Sequence, residues 1–212
     1  MKLQSKIKEP KTKLEKNPLL LLLHGYGSNE EDLFSFASEI PDHYFVVSAR
    51  APYDMQYGSY AWYAINFDAD ENKFSDLEQA KTSRDLVANF IDELTANYAI
   101  DENNVTLVGF SQGTILSYAI ALSYPEKVKR IVAMSGYLNQ EMLVPDYLKN
   151  NLSNLKFFIS HGTVDQVVPV EWGRKAKPFL DNLGIESVYK EYPIGHGICP
   201  QNFHDFKEWL NK

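Results

Sequence analysis

The stretch that decides the fold reads Val105-Thr106-Leu107-Val108-Gly109-Phe110-Ser111-Gln112-Gly113, and it continues Thr114-Ile115-Leu116-Ser117-Tyr118-Ala119-Ile120-Ala121-Leu122-Ser123. Its opening residues have the composition of a strand buried on both faces. Residues 112–123 are apolar nearly all round and stop just before Pro125, as a buried helix does. Between strand and helix stands a serine with a glycine two residues to either side. A sharp strand-to-helix turn forces its central residue into an uncommon backbone conformation, at about 1–3 kcal/mol. Glycines remove the Cβ atoms that would strike the neighbouring strand and helix. The result is a hydroxyl held out above the sheet beside a helix amino terminus, whose N–H groups favour negative charge. In that context Gly-x-Ser-x-Gly reads as a nucleophile elbow. The competing reading is a serine that only caps its helix.

Working outward, short apolar runs at 19–23, 44–48, 105–108, 130–134, 156–160 and 187–192 alternate with helical stretches at 29–37, 75–98, 112–123, 170–183 and 203–210. In the long helix, Leu77, Ala80, Leu86, Val87, Phe90, Ile91 and Leu94 recur near a 3.6-residue period. Strands alternating with helices predict an α/β fold with a doubly wound, mostly parallel sheet. Ligands in that class bind beyond the carboxyl ends of the strands.

A lone serine is a weak nucleophile and needs a base oriented by a third group. Asp165 follows the 156–160 strand within Ser160-His161-Gly162-Thr163-Val164-Asp165, and His196 follows the last strand within Gly195-His196-Gly197. The order Ser111, Asp165, His196 is the Ser…acid…His order of α/β hydrolases. An oxyanion hole is expected from the backbone N–H of Gln112 and from the loop His24-Gly25-Tyr26-Gly27. There the Tyr26 N–H is preferred, with Gly25 close behind. Asp146 fits no strand end, and Glu171 and Glu186 read as solvated charges. Cys199, three residues from His196, is the alternative nucleophile but occupies no strand-to-helix elbow. His24, His43, His161 and His204 lack metal-ligand spacing and read as hydrogen-bonded structural histidines.

Together these pieces resemble the phospholipase/carboxylesterase family, which includes acyl-protein thioesterases and small bacterial carboxylesterases. The matching segments are Leu23-His24-Gly25-Tyr26-Gly27, Asp32-Leu33, Arg50-Ala51-Pro52, Trp62, Gly109-Phe110-Ser111-Gln112-Gly113, the Ser160–Asp165 segment, Val168-Pro169 and Gly195-His196-Gly197. The resemblance implies a small α/β-hydrolase fold without a large lid domain, acting on small-molecule carboxylic esters or thioesters with no cofactor and no metal. Its catalytic residues fall on Ser111, Asp165 and His196, and its oxyanion donors on Tyr26 and Gln112. Two positions depart from the family pattern: Thr114 where a second glycine is common, and Tyr26 where leucine is common. The expected pocket residues are Gly25, Trp62, Tyr63 and Val168. The aromatic-rich loop 53–67 (Tyr53, Met55, Tyr57, Tyr60, Trp62, Tyr63, Phe67) reads equally as a pocket wall or as ordinary loop packing.

The 212 residues are 44% hydrophobic and 23% charged, an ordinary globular composition that suits one domain over residues 18–212. A net charge of −7 argues against a general nucleic-acid binder. Residues 1–17 nevertheless hold Lys2, Lys6, Lys8, Lys11, Lys13 and Lys16 against Glu9 and Glu15. This is either a basic arm able to touch an anionic surface or an edge strand kept soluble by lysine. The aliphatic run 19–23 is far short of the roughly 20 residues of a membrane span, so no stable membrane insertion is expected. One cysteine, with no recognisable leader, points to a cytoplasmic protein. The competing functional class is a non-catalytic small-ligand binder on the same fold, and oligomeric state is not legible.

Overall fold

The computed structural model describes residues 3–67 and 73–211. Its strands are β1 (Ser5–Lys8), β2 (Asn17–Leu23), β3 (Phe45–Ala49), β4 (Tyr53–Asp54), β5 (Tyr60–Ala61), β6 (Ile65–Phe67), β7 (Lys73–Ser75), β8 (Ile100–Phe110), β9 (Arg130–Met134), β10 (Lys156–Gly162) and β11 (Glu186–Tyr192). The helices are α1 (Glu31–Phe34), α2 (Leu77–Asn97), α3 (Gln112–Ser123), α4 (Val170–Arg174), α5 (Ala176–Asn182) and α6 (Pro200–Leu210). Seven strands form one sheet in the order β1-β3-β2-β8-β9-β10-β11. Only β1 runs antiparallel, against β3; the rest are parallel. The hairpins β4–β5 and β6–β7 lie outside this sheet.

Alternation along each buried strand divides the core in two. Leu19, Leu21 and Leu23 point with Leu107, Ile131 and Phe157 toward α2 and α3, whereas Leu20 and Leu22 point with Val108, Val132 and Phe158 toward α1 and α6. Both faces of the sheet are thereby covered, which is why its central strands are uninterrupted aliphatic runs. Helix α2 is capped by Asp76, whose side chain accepts from the Gln79 N–H at 3.0 Å.

Two expected helices are shorter than their sequence patterns. The 29–37 segment divides into α1 and a 3₁₀ turn, Ala37–Glu39. The 170–183 segment breaks at Lys175, between α4 and α5. Pro178 explains the break: its ring collides with the carbonyl four residues earlier and it has no N–H to donate.

The basic segment at the start of the chain contributes β1, and Lys6, Lys8 and Lys11 meet partners within the fold. Lys6 pairs with Glu31 at 2.5 Å and Lys11 with Asp42 at 3.2 Å. Such exposed pairs contribute little stability. Asn17 is buried, and its side chain donates to the carbonyls of Thr12 and His43, at 3.0 and 2.7 Å. Lys2 lies outside the described residues.

Two local devices fix the ends of the strands that matter most. Thr114, where the family pattern has glycine, bonds both strands: its Oγ1 lies 2.7 Å from both the Gly109 and Met134 carbonyls and accepts the Met134 N–H at 2.9 Å. It thus joins β8, α3 and β9 with one hydroxyl. Gly136 leaves room for it, since a Cβ there would stand 2.5 Å from Thr114 Cγ2 and 2.9 Å from the Ser111 carbonyl oxygen. At the other edge, Asp205 of α6 accepts from Lys190 Nζ and Tyr192 Oη of β11, each at 2.7 Å, and from Gln201 Nε2 at 2.7 Å. This clamp ties together the two elements between which residues 193–199 run.

Gly136→Ala should destabilise the fold by about 1–3 kcal/mol through overpacking. Adding Thr114→Gly should cost less than the sum of the two single changes, read from denaturant melts as a double-mutant cycle; strict additivity would contradict the contact. The Lys190 ion pair and hydrogen bond, with Tyr192 and Gln201, hold the Asp205 carboxyl down at about 2. An unfolded aspartate titrates near pH ~3.9. The clamp's contribution is therefore complete above that value and fades as pH falls toward about 2. Asp205→Asn should lower Tm at neutral pH, and the gap to the parent should close on acidification through that window. A gap that persists below it would contradict the assignment.

Candidate active site

Parallel strands of a doubly wound sheet end at a common carboxyl rim, and three of them deliver the expected side chains there. Ser111 directly follows β8, Asp165 lies just past β10, and His196 lies just past β11. Ser111 sits at φ 52°, ψ −114°, a left-handed conformation that a serine adopts only when its surroundings impose it. The imposition is steric. A Cβ on Gly113 would lie 1.9 Å from the Leu23 carbonyl oxygen, and one on Gly109 would lie 2.6 Å from the Gly113 carbonyl. The chain therefore turns within a space that only glycine backbone fits. Ser111 N–H donates to the Met134 carbonyl at 2.9 Å, while its side chain makes no capping bond to α3.

Instead, Ser111 Oγ lies 2.9 Å from His196 Nε2, and His196 Nδ1 lies 2.7 Å from Asp165 Oδ2. The carboxylate can only accept, which assigns the proton to Nδ1 and leaves Nε2 to accept from the serine hydroxyl. Asp165 Oδ1 is taken by the Val167 and Val168 N–H groups, at 2.8 and 2.9 Å. Burial pushes the Asp165 carboxyl up. The His196 hydrogen bond, the two amides and the imidazole charge together outweigh burial and hold it below the usual carboxylate range.

Beneath Asp165, the fully enclosed His161 donates from Nε2 to the Val168 carbonyl at 2.9 Å, with that nitrogen 3.4 Å from Asp165 Oδ2. Gly173 admits this ring, since a Cβ there would sit 2.4 Å from Nδ1. His161 is thus the structural histidine its sequence context suggests, as is His24. His24 donates from Nδ1 to the Gly25 carbonyl at 2.8 Å and accepts the Ala51 N–H on Nε2 at 3.1 Å. Burial holds its pKa down, which keeps the ring neutral and preserves that pairing. Nearby, the Arg50 guanidinium grips the Glu30 carboxylate, with Nε to Oε2 at 2.6 Å.

The backbone N–H groups of Tyr26 and Gln112 have no acceptor among the described residues, and both residues border the cavity at Ser111. The Gln112 side chain fixes the adjoining wall: its Oε1 accepts the Trp62 N–H at 2.8 Å and its Nε2 donates to the Tyr63 carbonyl at 2.8 Å. Trp62 Nε1 in turn donates to the His24 carbonyl at 2.9 Å.

The cavity measures about 550 Å³. Of the expected pocket residues, Tyr63 and Val168 line it; Gly25 and Trp62 do not. Trp62 is wholly buried and braces the loop behind the serine. Gly25 permits close approach instead, since a Cβ there would meet the Phe110 ring at 3.2 Å and Ser111 Cβ at 3.4 Å. From the aromatic loop, Tyr57 projects fully into solvent and Tyr60 lies under the Arg50 guanidinium, 4.7 Å from ring centre to Cζ. Tyr53 and Met55 do not border the cavity, and the Phe67 side chain lies outside the described residues. The remaining wall includes Ile65 of that loop, Leu77, Ile115 and Trp172 of the helices, and Tyr137, Asn139 and Glu141, which no sequence pattern marks. The one available signal is position, since Tyr137 and Asn139 follow β9 as Ser111 follows β8. Cys199 precedes α6 and borders a separate hollow with Phe36 and Phe203.

Among the described residues, His204, Asp205 and Glu208 form a surface group with ligand atoms within 4.8 Å of one another, of which Asp205 is already engaged by Lys190 and Tyr192. No helix among the described residues is long and apolar enough to cross a membrane.

Several known proteins are similar to this chain. A probable carboxylesterase of Oryza sativa subsp. japonica is 32% identical over 112 residues, 52% of this chain and 42% of the relative. Acyl-protein thioesterase 1 of Emericella nidulans is 30% identical over 134 residues, 61% of this chain and 56% of the relative. The matches thus span about half the length of these relatives. The crystal structure of esterase PE8 superposes with a TM-score of 0.85 at 27% identity, covering 100% of this chain and 99% of that one. The phospholipase/carboxylesterase family model matches residues 4–212. With that match across the sheet, the elbow and all three rim loops, the chain belongs to the phospholipase/carboxylesterase family and has its α/β-hydrolase fold.

Proposed function

We propose that this chain is a serine hydrolase that cleaves small-molecule carboxylic esters or thioesters through an acyl-enzyme. The observation that carries this reading is the unbroken hydroxyl–imidazole–carboxylate relay, with links of 2.9 and 2.7 Å, opening onto an apolar-walled cavity. Membership of a family with carboxylesterase and acyl-protein thioesterase relatives supports it.

In this reading Ser111 Oγ attacks the carbonyl carbon while its proton passes to His196 Nε2. The imidazolium is held by Asp165, which stays ionised because its amide bonds and His196 keep its pKa low. The carbonyl oxygen becomes an oxyanion against the N–H groups of Tyr26 and Gln112, at the amino end of α3. Collapse breaks the bond to the leaving oxygen or sulfur, which takes the proton from His196. Water, deprotonated by the same imidazole, then releases the acid and restores Ser111. The lone Cys199 is consistent with a reducing, cytoplasmic setting.

Ser111→Ala should lower p-nitrophenyl ester turnover by at least about 10³-fold and abolish fluorophosphonate labelling, with the melting curve preserved. Labelling of the variant at the parent rate would contradict the nucleophile. A burst of product without further turnover in the parent would identify a binding protein instead of an enzyme. Asp165, held below the usual carboxylate range, should stay ionised under mildly acid conditions.

A further inference from the structure

The cavity wall carries one full negative charge that the proposed chemistry leaves idle. Among its described lining residues, the side chains are apolar, aromatic, hydroxyl, amide or imidazole, with the single exception of Glu141. No lysine or arginine is among those described lining residues. The buried end of the cavity is formed by Tyr63, Ile115 and Val168, whereas Glu141 and Trp172 are exposed at the mouth. Tyr137 and Trp172 meet edge to face there, with ring centres 5.1 Å apart.

Glu141 is fixed in place by its backbone. Its N–H donates to Asn139 Oδ1 at 3.1 Å, within the 3₁₀ turn Gln140–Met142. The buried Arg84 donates to the next carbonyl, that of Met142, at 2.6 Å. Arg84 does not neutralise Glu141, because its Nε is engaged by Asp85 at 2.7 Å. Among the described residues, Glu141 has no ion-pair partner. A carboxylate lining the same cavity as two aromatic rings offers the chemistry that recognises an organic cation. The chain's net charge of −7 adds a field of the same sign.

Building on the hydrolase reading above, we propose that the preferred substrates are esters or thioesters whose leaving alcohol or thiol carries a positive charge, recognised at the mouth by Glu141 with Tyr137 and Trp172. The apolar acyl group then occupies the buried end. The bonds exchanged are those of the general reaction: the Ser111 Oγ–carbonyl bond forms, the carbonyl–sulfur or carbonyl–oxygen bond breaks, and His196 returns its proton to the leaving group.

The test pairs S-butyrylthiocholine with its uncharged isostere S-(3,3-dimethylbutyl) thiobutyrate, in which carbon replaces the quaternary nitrogen. An exposed ion pair and a cation–π contact together should favour the cation about tenfold in kcat/KM at low salt. The ratio should fall in Glu141→Gln, which leaves only the aromatic contribution, and also in the parent protein at about 0.5 M NaCl, where the Debye length is about 4 Å. The salt arm remains decisive even if the variant folds poorly. A parent ratio near unity, or a ratio indifferent to both salt and Glu141→Gln, would overturn cation recognition while leaving the hydrolase reading intact. Hydrolysis of neither thioester, nor of p-nitrophenyl esters, would overturn both.

Discussion

The contact between the first turn of α3 and the end of β2 governs the architecture of the site. Gly113 packs so tightly on the Leu23 carbonyl that any side chain at that position is excluded, and Gly109 meets Gly113 in the same way. With backbone pressed on backbone from both sides, Ser111 has no relaxed conformation available and is held at φ 52°. Local strain of this kind costs about 1–3 kcal/mol and survives only when the surrounding packing over-determines it. Here the packing is the buried centre of the sheet, where Leu19, Leu21 and Leu107 are wholly enclosed. Strain at one residue is thus offset by the largest apolar cluster in the molecule.

Polar connections carry that rigidity outward. Gln112 borders the cavity and ties Trp62 and Tyr63 with its side chain, and Trp62 passes the constraint to the His24 carbonyl. His24 then bonds the Gly25 carbonyl in the loop that presents Tyr26. The two candidate oxyanion donors are therefore linked through buried hydrogen bonds with paired donors and acceptors. Leaving any of these groups unsatisfied would cost about 1–3 kcal/mol. On the far side, Asp165 is fixed by two amides, one of them from Val168 whose carbonyl His161 holds, and the chain bearing His196 is held between β11 and α6 by the Asp205 clamp. Preorganisation at a site of this kind is set in advance, by hydrogen bonds formed on folding.

How far the sequence reveals all this depends on the range of the interaction. The buried strands and α3 are legible because their signals are local: uninterrupted aliphatic runs, a helix apolar all round, and glycines two residues either side of Ser111. The order of Ser111, Asp165 and His196 is legible because each lies at or shortly past the end of an expected strand. The cavity wall is less so. Trp62 looks like a pocket residue in a loop full of aromatics, yet it is spent on bracing His24, a partner 38 positions away in sequence. Glu141 sits in a short turn with no periodicity to mark it, and only the three-dimensional fold brings it to the same cavity as Ser111. The break in the 170–183 helix is written in Pro178 but hidden by the amphipathic pattern around it.

Trapping the covalent intermediate tests the central claim most directly. During turnover of a slow ester, acid quenching followed by intact-mass and peptide mass spectrometry should find one acyl group per chain, on the peptide containing Ser111. An acyl group located on Cys199 or any other side chain, or steady turnover with no acylated protein at any quench time, would contradict it.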